Sequence, residues 1–390
     1  MCANNTKLRV WPWLAALVAL TAALSIVLLS QGNEPTIDPA RTRTWEVANP
    51  RIEKAEQADL ELCDKRIAAI NEFFEQRKRR SREFAESVLS TEGKARLIWS
   101  KLPGTDPNGF NEFVRDEFTR IVLNANDLKA LLVACSLGYQ KESDAIENEL
   151  LVGLFADVGD NELFRGTGGP RLDDEAFRKE YQRLLMQILP SLNKGLVVEV
   201  GKFAISWVGM DLIMQTAMAK VVSAALGRLV ASSGIVGVGF ATSVASLGLG
   251  CFVGYIIDQI VAWFLKEAFD YDPERDIAQK VNESLEQVRQ SLVEGDPAAG
   301  AAYGKLRDLA RNDPFPAVRD ECRAAAYRIG NSGNLGLRSQ LIYIHDFRCE
   351  ARQLALKRLV MGNTPEQINC WPGGAAGRRL NALIVKGSEP

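Results

Sequence analysis

An all-α protein with a membrane helix at its start is what three observations predict. Apolar residues recur at steps of three and four over most of the chain, and no segment alternates polar and apolar residues long enough to make a strand. Charge-free runs over 10–30 and 234–257 are of helical length. The 390 residues are 47% hydrophobic and 25% charged, a globular balance that excludes a disordered chain and a multi-spanning membrane protein. Lys plus Arg number 47 against 49 Asp plus Glu, a formal charge of −2, so no global basic field draws the chain to nucleic acid and no such partner is expected. His345 is the one histidine, which excludes a His-rich metal site.

Residues 1–9 read as a cytoplasmic N-terminus. Val10 to Ser30 carries no charge, and as a helix it is roughly 31 Å long, enough for a hydrocarbon core of about 30 Å. Lys7 and Arg9 precede it and no basic residue follows until Arg41, which keeps the N-terminus inside and puts the bulk of the chain on the extracytoplasmic side of the cell membrane. Trp11 and Trp13 fall at the headgroup level as membrane-interface residues. A cleaved signal peptide is the competing reading, with small residues placed for cleavage after Gly32; the long apolar core favours an uncleaved single-pass signal anchor. Cys2 precedes the run, so it is not the cysteine of a lipoprotein signal. Residues 31–50, with Pro35, Pro39 and Pro50, read as a tether.

Residues 51–194 read as a charged, amphipathic helical region. From Arg51 to about Thr91 the apolar residues Leu60, Cys63, Ile67, Ile70, Phe74, Phe84 and Val88 mark one long helix whose seam is interrupted at Arg77 and Ser81. The basic run Arg77 to Arg80 is flanked by Glu72, Glu75, Glu83 and Glu86, the pattern of a solvated helix face. A turn cluster at 102–109 precedes helices over 110–123 and 127–158, the second capped by Asn126. Residues 159–171 read as a loop, and a helix over 172–189 stops at Pro190.

Residues 195–268 read as a Gly-rich hydrophobic helical hairpin divided at Ser232-Ser233-Gly234. Six of the seventy-one residues from 195 to 265 are charged: Glu199, Lys202, Asp211, Lys220, Arg228 and Asp258. Gly239, Ser243, Gly250 and Gly254 are candidate helix-packing positions, since small residues let two backbones approach closely. This spacing resembles the glycine-zipper hairpins of membrane-inserting bacterial proteins, and the resemblance implies contact with lipid. Length alone does not choose between a buried hairpin and an inserted one. Asp211, Lys220 and Arg228 count against a spanning first arm.

Residues 271–364 read as a C-terminal helical region. Tyr271-Asp272-Pro273-Glu274 opens a helix, and two short helices separated by Asp313-Pro314 have a HEAT-like pattern, with a second unit over 337–363 that sets Arg352 in the place of Arg319; two units fall short of a free-standing solenoid, and a plain helical bundle is the favoured reading. Residues 365–390 read as an irregular tail. Seven scattered cysteines (Cys2, Cys63, Cys135, Cys251, Cys322, Cys349 and Cys370) make no disulfide framework, although one pair among the last three is compatible with an oxidising compartment. His345 and Cys349 share a helix face at i, i+4 without a third ligand, and Gly237 to Ser243 lacks the lysine of a phosphate loop. No catalytic, cofactor or metal site is expected. The expectation is a membrane-anchored, non-catalytic scaffold or interaction protein, whose partners are the lipid bilayer through 10–30, and through 234–257 in the inserted case, and a second protein or another copy of itself. The alternative is a membrane-inserting or pore-forming effector that uses the 195–265 hairpin.

Overall fold

The computed structural model describes residues 39–104, 106, 108–158, 174–192, 207–233, 250–267 and 272–361. The anchor with Trp11 and Trp13, the packing positions Gly239 and Ser243, and the tail lie outside them. The described residues form twelve helices and no strand. They are α1 Pro39–Lys78, α2 Ser81–Val88, α3 Thr91–Ser100, α4 Gly109–Ile121, α5 Ala125–Val158, α6 Asp174–Leu192, α7 Trp207–Ser233, α8 Gly250–Glu267, α9 Pro273–Val293, α10 Pro297–Asn312, α11 Pro316–Asn331 and α12 Leu337–Met361.

α1 is the spine, about 60 Å long. α5 runs antiparallel along it, shown by Arg77 beside Asp127, Arg66 beside Glu142 and Arg51 beside Asp157. α12 is also antiparallel to α1, with Arg338 near Asp64, Gln353 bonded to Glu56 and Lys357 over the Trp45 ring. The helix begins inside the span read as a tether. Pro39 opens it, where a missing N–H costs nothing, and Ala48 and Ile52 are fully buried on the face that follows, so packing carries the helix through Pro50. At the other end the single helix expected to about Thr91 is broken at Arg79 and Arg80, next to the interruption in its seam; Phe84 and Val88 then pack from α2. α3 is separate, and Ser90 caps it by accepting from the Gly93 N–H.

Two apolar cores result. The larger joins α1, α2, α4, α5, α7, α8, α9, α10, α11 and α12, through residues such as Phe74, Phe84, Phe118, Leu132, Val222, Ile256, Leu285, Tyr303, Ala326 and Ile344. The smaller lies towards the start of α1, where Ile52, Leu154, Phe177, Ile188 and Leu356 meet. The described arms of the expected hairpin, α7 and α8, belong to the larger core. Lys220 and Arg228 end on the Asn331 and Ser291 carbonyls, which explains charge on an otherwise apolar arm. Among the described residues, one helical stretch, Gly109–Asp157, is long and apolar enough by length and composition to cross a membrane; in the fold, Leu128, Leu132, Tyr139, Leu150 and Leu154 from it are buried.

Three further expectations are corrected. The second HEAT-like unit does not exist: α12 is continuous from Leu337 to Met361, a stretch with neither proline nor glycine to divide it. α5 is opened by Asn124, whose side chain accepts from the Asn126 N–H, so Asn126 is not the cap. α6 continues through Pro190 to Leu192. The expected starts at Asp272-Pro273 and the break at Asp313-Pro314 stand, since the Asp272 side chain accepts from the Arg275 N–H and α10 and α11 flank the second turn.

Candidate functional site

Where α1, α5, α6 and α12 cross between the two cores, a polar layer replaces apolar packing. Asp59 of α1 is 1% exposed, Glu147 of α5 4% and Arg352 of α12 1%. Arg352 Nη2 donates to Asp59 Oδ2 at 2.7 Å and reaches Glu147 Oε2 at 3.4 Å. The Ser143 hydroxyl donates to Asp59 Oδ1 at 2.7 Å, and the Tyr181 hydroxyl from α6 donates to Glu147 Oε1 at 2.8 Å. Arg348 adds contacts to Asp144 at 3.2 Å and Glu147 at 3.4 Å. Burial pulls the Arg352 guanidinium down, but the Glu147 and Asp59 carboxylates outweigh it and raise its pKa above the ordinary arginine value. A buried charge survives only with such partners; the bonds of Arg352 all run through Nη2, and its Nε and Nη1 are buried without a hydrogen-bond partner among the described residues.

One turn away on α12 sits the expected pair. His345 Nε2 lies 3.0 Å from the Glu56 carbonyl and 3.3 Å from Cys349 Sγ, and Nδ1 lies 3.2 Å from Asp346 Oδ1. The i, i+4 spacing does bring thiol and imidazole together. Asp346 also contacts the ring and accepts from Tyr303, Arg307 and Arg311. Burial pushes the Asp346 carboxyl up, yet the bonds from His345 and Arg307, with the Arg307 and Arg311 charges, hold it at about 2. Burial pushes the Cys349 thiol well above its usual range and the Cys63 thiol up to about 12. A thiol so placed stays protonated and is a poor nucleophile or metal ligand. Cys322 and Cys349, two of the three cysteines considered for a disulfide, are free.

Access to the layer is narrow. A cavity of about 160 Å³ between α5 and α6 is lined by Asp144, Glu147, Asn148, Leu151, Arg178, Tyr181 and Gln182. Glu147 and Tyr181 are committed to each other, and Arg178 is held by Asp174 and Asn148. Among the described residues, no group of three His, Cys, Asp or Glu side chains is placed to hold a metal ion. Three of the four basic residues at the end of α1 have partners: Arg77 on Asp127 and the Phe73 ring, Lys78 on Glu75 and Glu286, Arg80 on the Ile121 carbonyl; Arg79 is exposed.

Of the packing positions, Gly250 is the first residue of α8 and Gly254 lies one turn on. A Cβ built on Gly254 meets no described atom within 4 Å, so no described residue makes the close approach expected there. Sequence reading did not single out Asp59, Ser143, Glu147, Tyr181 or Arg348, and it named Arg352 only for its place in a HEAT-like unit. The signal was present as charge on the buried seam: Asp59 stands between Ala55 and Cys63 at steps of four, and Glu147 between Ser143 and Leu151. Comparison with known protein families, with characterised proteins and with solved structures finds no match for this chain.

Proposed function

We propose that the chain is a non-catalytic helical scaffold or interaction protein, held at the cell membrane by residues 10–30 with its bulk on the extracytoplasmic side. The observation that supports a non-catalytic role is how the reactive groups are used. Asp59, Glu147, Arg348 and Arg352 bond one another, and the Cys349 thiol is buried against His345. Catalytic groups ordinarily converge on space for a substrate; these converge on neighbouring helices. The anchor is supported by the charge-free run 10–30 and the basic residues that precede it.

Alkaline carbonate followed by detergent extraction of membranes tests the anchor. The intact chain stays in the pellet until detergent is added; recovery in the soluble fraction, or a mature chain starting at Asn33, overturns it. The second reading, an effector that inserts the 195–265 hairpin, draws on the charge-free run 234–257. Dye-loaded vesicles separate the two: a scaffold leaves them intact, and leakage that depends on 234–257 favours the effector.

A further inference from the structure

The end of the molecule where α1 begins collects exposed apolar side chains. Val47 is 54% exposed, Phe315 66% and Val318 37%. Residue pairings bring them to one end although they come from distant parts of the chain. α12 runs antiparallel to α1 and passes Trp45 at Lys357, so it finishes near the start of α1. α11 runs antiparallel to α12 in turn, because the Tyr343 hydroxyl donates to Asn331 while Arg323 pairs with Glu350. Going back along α11 from Arg323 to Phe315 advances about 12 Å, and going forward along α12 from Glu350 to Lys357 about 10 Å. The α10–α11 turn therefore comes level with Lys357 and Trp45.

That turn is built to hold its aromatic outward. Pro314 and Pro316 flank Phe315, whose N–H donates to Asp313 Oδ1 at 2.9 Å, while Arg319 Nη1 donates to the Asp313 carbonyl at 3.1 Å. Fixed proline torsions and two bonds stiffen the backbone before any partner arrives, which lowers the entropy cost of docking. At the same end Arg43 is exposed, and Lys357, over the Trp45 ring, and Arg358 are half-buried in the last turns of α12. Glu46 is the acid nearest Arg43 in sequence, and Asp157 is paired with Arg51.

Chain length says what this end faces. Residues 31–38 join the apolar run to α1, and eight residues span at most about 29 Å. A bilayer that holds 10–30 is therefore close to the start of α1, while the far end of α1 stands about 60 Å away along the helix. We propose that Val47, the Phe315 turn with Val318, and the basic residues Arg43, Lys357 and Arg358 form a docking surface for that bilayer. Phosphate headgroups of anionic phospholipid meet the cations, and Phe315 enters the headgroup–acyl boundary. The proposal rests on the anchor reading given above.

The full chain, reconstituted in vesicles of phosphatidylcholine and phosphatidylglycerol, tests it, with a photoreactive benzoylphenylalanine in place of Phe315 or, as control, of Trp99. Trp99 is 64% exposed and lies on α3, beyond the far end of α1. Irradiation gives lipid adducts at position 315 and few at 99. The double substitution Lys357→Gln, Arg358→Gln lowers the docking equilibrium by roughly twenty-five-fold, about five-fold for each basic residue at an anionic surface, and so reduces the adduct yield. Carbonate-resistant vesicle association without adducts at 315 overturns the docking surface and leaves the anchor standing. Cross-links from 315 to a second chain overturn it in favour of a contact between copies. Failure to associate with vesicles overturns both readings.

Discussion

Gly295 and Gly254 give opposite expectations for the same substitution. Gly295 ends the α9–α10 turn at φ 73°, and an added Cβ would meet the Gly336 backbone nitrogen at 2.1 Å. There the α9–α10 turn grips the α11–α12 turn, with the Asp296 N–H donating to the Asn334 carbonyl at 3.1 Å. Gly295→Ala adds left-handed strain to a backbone clash and lowers stability by about 2 kcal/mol or more. Gly254 sits inside α8 and an added Cβ meets no described atom within 4 Å, so Gly254→Ala raises stability by about 0.8–1 kcal/mol. Thermal melts of the two variants check both, and a destabilised Gly254→Ala would restore a close helix approach there. Asp346 makes a pH prediction. Its folded value of about 2 lies below the ordinary 3.8, so its contribution is fully present above the unfolded value and is lost as pH falls through the folded one. The shift corresponds to about 2 kcal/mol. Asp346→Asn loses that stability at neutral pH and flattens the acid limb of the unfolding curve below about pH 4; an unchanged acid limb would mean the carboxylate gains nothing from Arg307 and Arg311.

Helices show which parts of the chain local rules govern. The breaks at Asp272-Pro273 and Asp313-Pro314 were legible because aspartate and proline there act within their own turns, the first capping the Arg275 N–H and the second opening the way to α11. Pro50 was misread for the complementary reason. It suggested extended chain, but the surrounding face is held by Ala48, Ile52 and Ala55 in the smaller core, and tertiary burial outweighs a local penalty. The penalty persists within the helix: Pro50 supplies no N–H to the Glu46 carbonyl four residues back. Pro50 is exposed, so replacing it removes no core contact. Pro50→Ala restores the bond and raises stability by about 1–3 kcal/mol, read as a shift in denaturant midpoint at constant m. A lower midpoint would mean that α1 needs the bend proline imposes. The false division of α12 has the same origin. Repeat spacing suggested two helices, but nothing between Leu337 and Met361 stops a helix, and His345, Arg348 and Arg352 all face inward from one continuous rod.

Across the whole molecule, three rods, α1, α5 and α12, pass from the larger core to the smaller one through the polar layer. Apolar seams on long helices tolerate a shift of a turn with modest loss, whereas an ion pair does not. Asp59 meets Arg352 at 2.7 Å and Glu147 meets Tyr181 at 2.8 Å, and sliding any rod by one turn would leave a charge buried without its partner. The layer therefore sets helix register more than it adds net stability. Removing one member shows the cost of the orphan: Arg352→Met leaves Asp59 buried without its cation, while Glu147 keeps Arg348 and Tyr181, and stability falls by about 3–5 kcal/mol. Replacing the whole layer tests the register argument. A chain carrying Asp59→Leu, Ser143→Ala, Glu147→Leu, Tyr181→Phe, Arg348→Met and Arg352→Met leaves none of these groups orphaned, and comparable replacements are neutral or stabilising by about 1–4 kcal/mol. Its melting temperature is therefore expected to hold or rise. Amide exchange in α1, α5 and α12 should instead become faster and more heterogeneous, as several registers come close in energy. Exchange as uniform as in the parent would show that the two cores alone fix the register. A large fall in melting temperature would show that the layer contributes net stability rather than specificity.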